Sequence, residues 1–127
     1  MVRHTFNWGS KTYIMGIINM SPESFSGDGF DSVNEAITHA KNLVHDGADM
    51  LDIGGKSTRP HTSTFVEDQI RGNKSTNDLR KFDRDEELRR VIPLITKLKS
   101  EVSVPISIDT YDVEVGRQAL IAGATVI

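Results

Sequence analysis

Short apolar runs and helix-spaced apolar stripes alternate along this chain, and the alternation predicts strands and helices in turn. Tyr13-Ile14-Met15-Gly16-Ile17-Ile18 is a continuous apolar run, the pattern of a buried strand. It ends at Asn19, and Ser21-Pro22 follows as a breaker. Val33, Ala36, Ile37, Ala40, Leu43 and Val44 then recur at helical spacing. Ser32 and Glu35 make a capping-box pattern at the start of that helix, and Gly47 is a natural stop. Met50-Leu51-Asp52-Ile53 reads as a second strand ending in Gly54-Gly55. Leu88, Val91, Ile92, Ile95 and Leu98 form a second helical stripe, with Pro93 inside it to kink the helix or delay its regular start. Val104 to Asp109 is the third strand, its Pro105 near the first residue. Val113, Gly116, Ala119 and Leu120 mark a third helix, and Ala124 to Ile127 begins a fourth strand.

Strand, helix, strand, helix implies α/β architecture with parallel strands and right-handed crossovers. Gly47-Ala48-Asp49-Met50-Leu51 and Gly123-Ala124-Thr125-Val126-Ile127 both read as helix stop followed by strand, a faint internal repeat. The second copy ends inside its apolar run, so the chain reads as a fragment of a longer protein. One segment breaks the rhythm. Residues 61–84 are polar and read as an insertion loop, with Phe65, Val66 and Ile70 available to dock part of it.

Composition narrows the class. The chain has 127 residues, enough for one small domain but short for an α/β barrel of about 250 residues. A net charge of −3 argues against a nucleic-acid partner, whose domains are usually basic. The absence of cysteine removes disulfides, zinc–thiolate sites and cysteine nucleophiles. No apolar run approaches the roughly 18 residues a membrane span needs. The N-terminus lacks a continuous apolar stretch of the secretory kind. The default expectation is an intracellular, cytoplasmic enzyme or binding domain, with a mitochondrial address possible for a eukaryotic parent.

In parallel α/β folds ligands bind at the carboxyl ends of the strands, and three such ends carry polar residues. The first loop, Asn19 to Phe30, opens with an Asn whose oxygen suits either a hard cation such as Mg²⁺ or a bond within its own loop. Glu23 and Asp28 are nearby carboxylates that solvation would also explain, and Phe25 and Phe30 read as a flap or as loop anchors. The second, Gly54-Gly55-Lys56-Ser57-Thr58-Arg59-Pro60, has the chemistry of an oxyanion cradle: close backbone approach, hydroxyl donors and a guanidinium fork. Its spacing is not that of a P-loop. In the third, Asp109 is placed either to accept from ring N–H groups of a heterocycle or, with Thr110 or Asp112, to cap the next helix. His4, His39, His45 and His61 form no metal pattern, and His39 and His45 fall off the apolar stripe. Met15, Met20 and Met50 read as core, and Trp8 as a packing anchor.

Taken together the loops are far more specific. Met15-Gly16-Ile17-Ile18-Asn19-Met20-Ser21-Pro22-Glu23-Ser24-Phe25-Ser26 resembles the first signature of dihydropteroate synthases. Gly47-Ala48-Asp49-Met50-Leu51-Asp52-Ile53-Gly54-Gly55-Lys56-Ser57-Thr58-Arg59-Pro60 resembles the second, and Ser107-Ile108-Asp109-Thr110 followed by Gly123-Ala124 continues the pattern in order. The resemblance implies a TIM (β/α)8 barrel, of which residues 1–127 would be about the first three and a half βα units. It implies condensation of p-aminobenzoate with 6-hydroxymethyl-7,8-dihydropterin pyrophosphate, giving 7,8-dihydropteroate and pyrophosphate in folate biosynthesis. By motif, Asn19 would ligate Mg²⁺. Ser57, Thr58 and Arg59 would serve the pyrophosphate substrate and the p-aminobenzoate pocket, and Pro60 and Phe25 would line that pocket, the site of sulfonamide action. Asp28 would be the mobile aspartate of the first loop and Asp109 the pterin-contacting one. Arg59 and Asp109 would carry the catalytic charge stabilisation.

The chain departs from the family pattern in places. Ser21 stands where Thr is usual and Glu23 where Asp is usual. Gly27 adds a residue before Asp28, and Lys56 replaces a common Glu. Later family elements, including an Asn-Asp pair after the fourth strand, fall beyond Ile127. The 127-residue chain alone is therefore expected not to turn over. Its parent would be a homodimer or be fused to other folate enzymes. Two competing readings are the pterin-binding domain of a methyltetrahydrofolate-dependent methyltransferase and a non-catalytic half barrel. The Ser57-Thr58-Arg59-Pro60 run argues against the first, because methyl transfer releases no pyrophosphate.

Overall fold

The computed structural model describes residues 5–21, 30–56 and 76–127; the side chains of 30, 31 and 76–82 are not described. Three strands, β1 (Met15–Asn19), β2 (Met50–Gly54) and β3 (Ile106–Asp109), form a parallel sheet in the order β1-β2-β3. Helix α1 (Phe30–His45) joins β1 to β2, α2 (Thr76–Glu101) precedes β3, and α3 (Val113–Ala122) follows it. A fourth strand is represented by a single parallel bridge, Ser107 to Val126, in which Ile108 N–H donates to the Val126 carbonyl at 3.0 Å.

The helices cover one face of the sheet; on the other, Ser107 is buried but Met15 and Ile17 are exposed. Register aligns Ile18 with Ile53 and Ile108, and Leu51 with Ile106, on the face toward the helices. Val33, Ala36 and Ala40 of α1, Val91, Leu94, Ile95 and Leu98 of α2, and Val115 and Ala119 of α3 close over them. The alanines let α1 approach closely, and α2 packs against both α1 and α3. Each fully buried Leu or Ile contributes roughly 1.5–3 kcal/mol relative to exposure.

The other face holds Met15, Ile17, Met50 and Asp52. Within these 127 residues the helices cover the opposite face, so Ile17 is left 68% exposed and Met15 50% exposed rather than packed in the core as expected. An apolar run cannot distinguish a strand covered on both faces from one covered on one. Met20 is buried and Met50 half-buried. Trp8 stacks on Phe6 and meets Tyr13 edge-on, yet it is 75% exposed, so it joins an aromatic cluster without anchoring the core.

Both predicted helix stops are present. Gly47 and Gly123 adopt φ of 113° and 133°, a region other residues rarely enter. In each, the following alanine N–H reaches back five residues, Ala48 to Leu43 and Ala124 to Ala119, both at 2.9 Å. The repeat read from the sequence is thus a repeated helix-to-strand turn. Two helix starts differ from expectation. Helix α1 begins at Phe30, so Ser32 lies within its first turn rather than capping it. Helix α2 begins at Thr76 and runs through Pro93, so residues 76–84 are helical rather than part of a loop. Polar residues spaced for Arg–Glu pairs, such as Glu86 with Arg89 and Arg90, sustain a solvated helix face that an apolar-stripe reading overlooks. The remainder of the 61–84 segment, residues 61–75, lies outside the described residues.

Candidate active site

Parallel register sets the last residues of the three strands in one row, Asn19 beside Gly54 beside Asp109. Two strand spacings put the outer pair about 10 Å apart. Gly54 has no side chain between them, and a Cβ there would lie 3.9 Å from the Asp109 carboxylate Oδ2. Below this row lie Ile17, Asp52 and Ser107, and below those Met15 and Met50. The bare face therefore grades from apolar at its base to polar at the carboxyl edge. Met20 N–H donates to the Gly54 carbonyl at 2.7 Å, which keeps the sheet zipped up to the row.

Asn19 Oδ1 accepts from Ser21 N–H at 3.0 Å, an exposed Asn closing its own turn. The loop bond foreseen from position is present, and it leaves that oxygen a second lone pair. One exposed oxygen donor at a strand end fits Mg²⁺, which takes one or two protein oxygens and completes its octahedron with water and substrate phosphate. Among the described residues no three His, Cys, Asp or Glu side chains cluster as a metal site.

Asp109 is exposed, and its carboxylate enters no ion pair among the described residues. Of the two roles left open for it, helix capping falls to Asp112. That carboxylate accepts from Glu114 N–H at 2.9 Å and Val115 N–H at 3.3 Å, while Thr110 Oγ1 accepts from Asp112 N–H. Burial pushes Asp112 upward, but the Arg84 guanidinium at 2.9 Å and the two backbone donors outweigh it and hold the carboxyl below its ordinary range. Asp109 is thereby spared for other work.

Of the second loop, Gly54, Gly55 and Lys56 are described. A Cβ on Gly55 would fall 2.7 Å from Val91 Cγ1 and 2.9 Å from Glu87 Cγ. The close approach that requires this glycine is to α2. Arg90 donates to the Gly55 carbonyl at 3.0 Å. Lys56 donates to the Tyr111 hydroxyl at 3.0 Å and faces Glu87 at 3.6 Å. Glu87, 2% exposed, was not among the candidate residues. Its signal was its place one turn before Val91 on the apolar stripe of α2. Ser57, Thr58, Arg59, Pro60, Phe25 and Asp28 lie outside the described residues. His39 and His45 are exposed, as their positions implied, and a shallow groove along Asn34, Thr38, His39 and Asn42 lies on α1, apart from the strand ends.

A three-stranded parallel sheet with helices on one face is a β/α unit of the kind that builds barrels. The family model described as pterin binding enzyme matches residues 15–71 and 69–127, and the chain belongs to that family. It is 46% identical over 123 residues to the dihydropteroate synthase of Synechocystis, covering 96% of this chain and 37% of the relative. It superposes with a TM-score of 0.74 and 49% identity on dihydropteroate synthase from Clostridium difficile with pteroic acid, covering 96% of this chain and 41% of that one. The Xanthomonas albilineans enzyme with 4-aminobenzoic acid gives 0.69 and 40%, covering 91% and 37%. The chain thus spans about two fifths of the length of these proteins, and the fold is the corresponding part of a TIM barrel.

Proposed function

We propose that this chain supplies the pterin-facing strand ends of a dihydropteroate synthase. The observation that carries the reading is the row Asn19–Gly54–Asp109 at the carboxyl edge. Support comes from neighbours of the same fold whose structures hold pteroic acid or 4-aminobenzoic acid. The substrates would be p-aminobenzoate and 6-hydroxymethyl-7,8-dihydropterin pyrophosphate. Departure of pyrophosphate leaves a cationic pterin that the amine attacks, so no protein nucleophile is required. The protein's contribution is positioning and charge stabilisation. Asp109 would accept the pterin ring N–H groups and offset the positive charge that develops. Asn19 would hold a Mg²⁺, which when bound neutralises the leaving pyrophosphate. Ser57, Thr58 and Arg59 would hold the same group, Phe25 and Pro60 would line the p-aminobenzoate pocket where sulfonamides would compete, and Asp28 would be the mobile aspartate of the first loop.

A chimera tests this directly. Residues 1–127 replace the matching segment of the Synechocystis relative, and dihydropteroate and pyrophosphate are measured together. Equimolar formation of both is expected. A folded chimera that binds pteroic acid yet releases no pyrophosphate would overturn the proposal and favour a methyl-transfer or non-catalytic role.

A further inference from the structure

The ends of β2 and β3 are joined by more than the sheet. Lys56 follows β2, Tyr111 follows β3, and Glu87 rises from α2 beneath them. The Lys56 ammonium donates to the Tyr111 hydroxyl at 3.0 Å and lies 4.7 Å from the ring centre. Glu87 faces it at 3.6 Å, and its Oε2 accepts no hydrogen bond among the described residues. A carboxylate 2% exposed is costly to bury without a partner, and among the described residues Lys56 is the cation paired with it. Burial pulls the Lys56 ammonium down, but the Tyr111 hydroxyl and Glu87 outweigh that and hold its pKa above the ordinary value. The same helix takes hold on both sides. Arg90 binds the Gly55 carbonyl, and Arg84 binds Asp112, the cap of α3, at 2.9 Å.

We propose that Lys56, set between buried Glu87 and Tyr111, is a positioning residue that locks the ends of β2 and β3 together. It fixes the distance between Gly54 and Asp109 on the ligand edge. The lock is a feature of the structure itself; its consequence for turnover rests on the function proposed above. Lys56 touches neither substrate nor metal in this account and acts through the backbone it restrains.

Amide hydrogen exchange on the 127-residue chain tests the lock without any ligand. Lys56→Met should speed exchange at Gly54–Lys56 and also at Thr110–Asp112, by about tenfold, the size of one charge-assisted hydrogen bond. Lys56→Arg should restore most of the protection. Tyr111→Phe, at an exposed position and so safe for folding, should loosen Thr110–Asp112 while sparing Gly54–Lys56. In the chimera, Lys56→Met should lower kcat and leave the KM for p-aminobenzoate within about twofold, as for a lost transition-state alignment. Unchanged exchange at Thr110–Asp112 in both Lys56→Met and Tyr111→Phe would refute the lock. If the exchange result holds and the folded wild-type chimera binds pteroic acid yet releases no pyrophosphate, the lock stands and the proposed function falls.

Discussion

The two ends of the sheet use their polar groups differently. At the amino end, Asp49 is engaged in building the fold. Asp49 accepts from Ile14 N–H at 2.9 Å and pairs with Lys11, and Ile14's carbonyl accepts from Asp49 N–H at 2.7 Å. Gly47 and Gly123 turn the chain from helix into strand at the same end. At the carboxyl end, Asp109 has no ionic partner among the described residues and Asn19 closes only its own turn. What the fold does there is indirect: α2 holds the loops, and Asp112 takes over the capping that Asp109 would otherwise perform. One end is engaged in stability, and at the other Asn19 and Asp109 stay exposed, as the proposed ligand role requires.

Substitutions should separate these ends. The largest effect is expected from Asp109→Asn in the chimera: kcat/KM falls by at least about 100-fold, the loss of one preorganised electrostatic contact. The denaturation midpoint of the chain should hardly move, within about 0.5 kcal/mol. A comparable loss of stability would show that Asp109 belongs to the scaffold after all. Gly123→Ala should do the reverse. Its φ of 133° and a Cβ 2.9 Å from Lys99 Cδ predict a cost of about 1–3 kcal/mol in urea unfolding, with ligand binding intact at low temperature. Asp112→Ala removes a helix cap and should cost about 1 kcal/mol, read by the same titration.

The smallest effect is the pH dependence of the amino end. The Lys11 hydrogen bond, then the Ile14 N–H, holds the Asp49 carboxyl below its ordinary range. A depressed carboxylate stabilises the fold above its unfolded-state pKa of about 4, and that contribution is lost as pH falls through the lower folded value. Glu114, lowered to about 2 by Arg117 and Gln118, adds the same acid dependence from the first turn of α3, at the other end of the sheet. Stability should therefore decline between about pH 4 and 2. Asp49→Asn should flatten this limb, and an unaltered acid limb in that variant would remove Asp49 from the account.

Much of this division was legible in the sequence. The parallel strands, the glycine stops and the candidacy of Asn19 and Asp109 followed from apolar spacing and from what stood at each strand's end. What escaped was tertiary in origin. Nothing in Met15-Gly16-Ile17-Ile18 reveals which face the helices will cover. Pro93 looks like a breaker, yet helix packing around Val91, Leu94 and Ile95 carries α2 across it. Gly55 looks like a place for phosphate, but the nearest atoms to a Cβ there belong to Val91 and Glu87. The role of Lys56 depends on a residue 31 positions away on α2 and another 55 away after β3. A linear pattern does not contain such a pairing.

The proposed function makes the carboxyl edge of the sheet the ligand edge, and titration of the isotopically labelled 127-residue chain with pteroic acid, following every backbone amide, would show it. The resonances of Asn19, Gly54 and Asp109 should move together with one dissociation constant, while Ile14, Asp49 and the α1 groove stay still. Shifts centred on the amino end or on α1, or none at millimolar ligand, would contradict it.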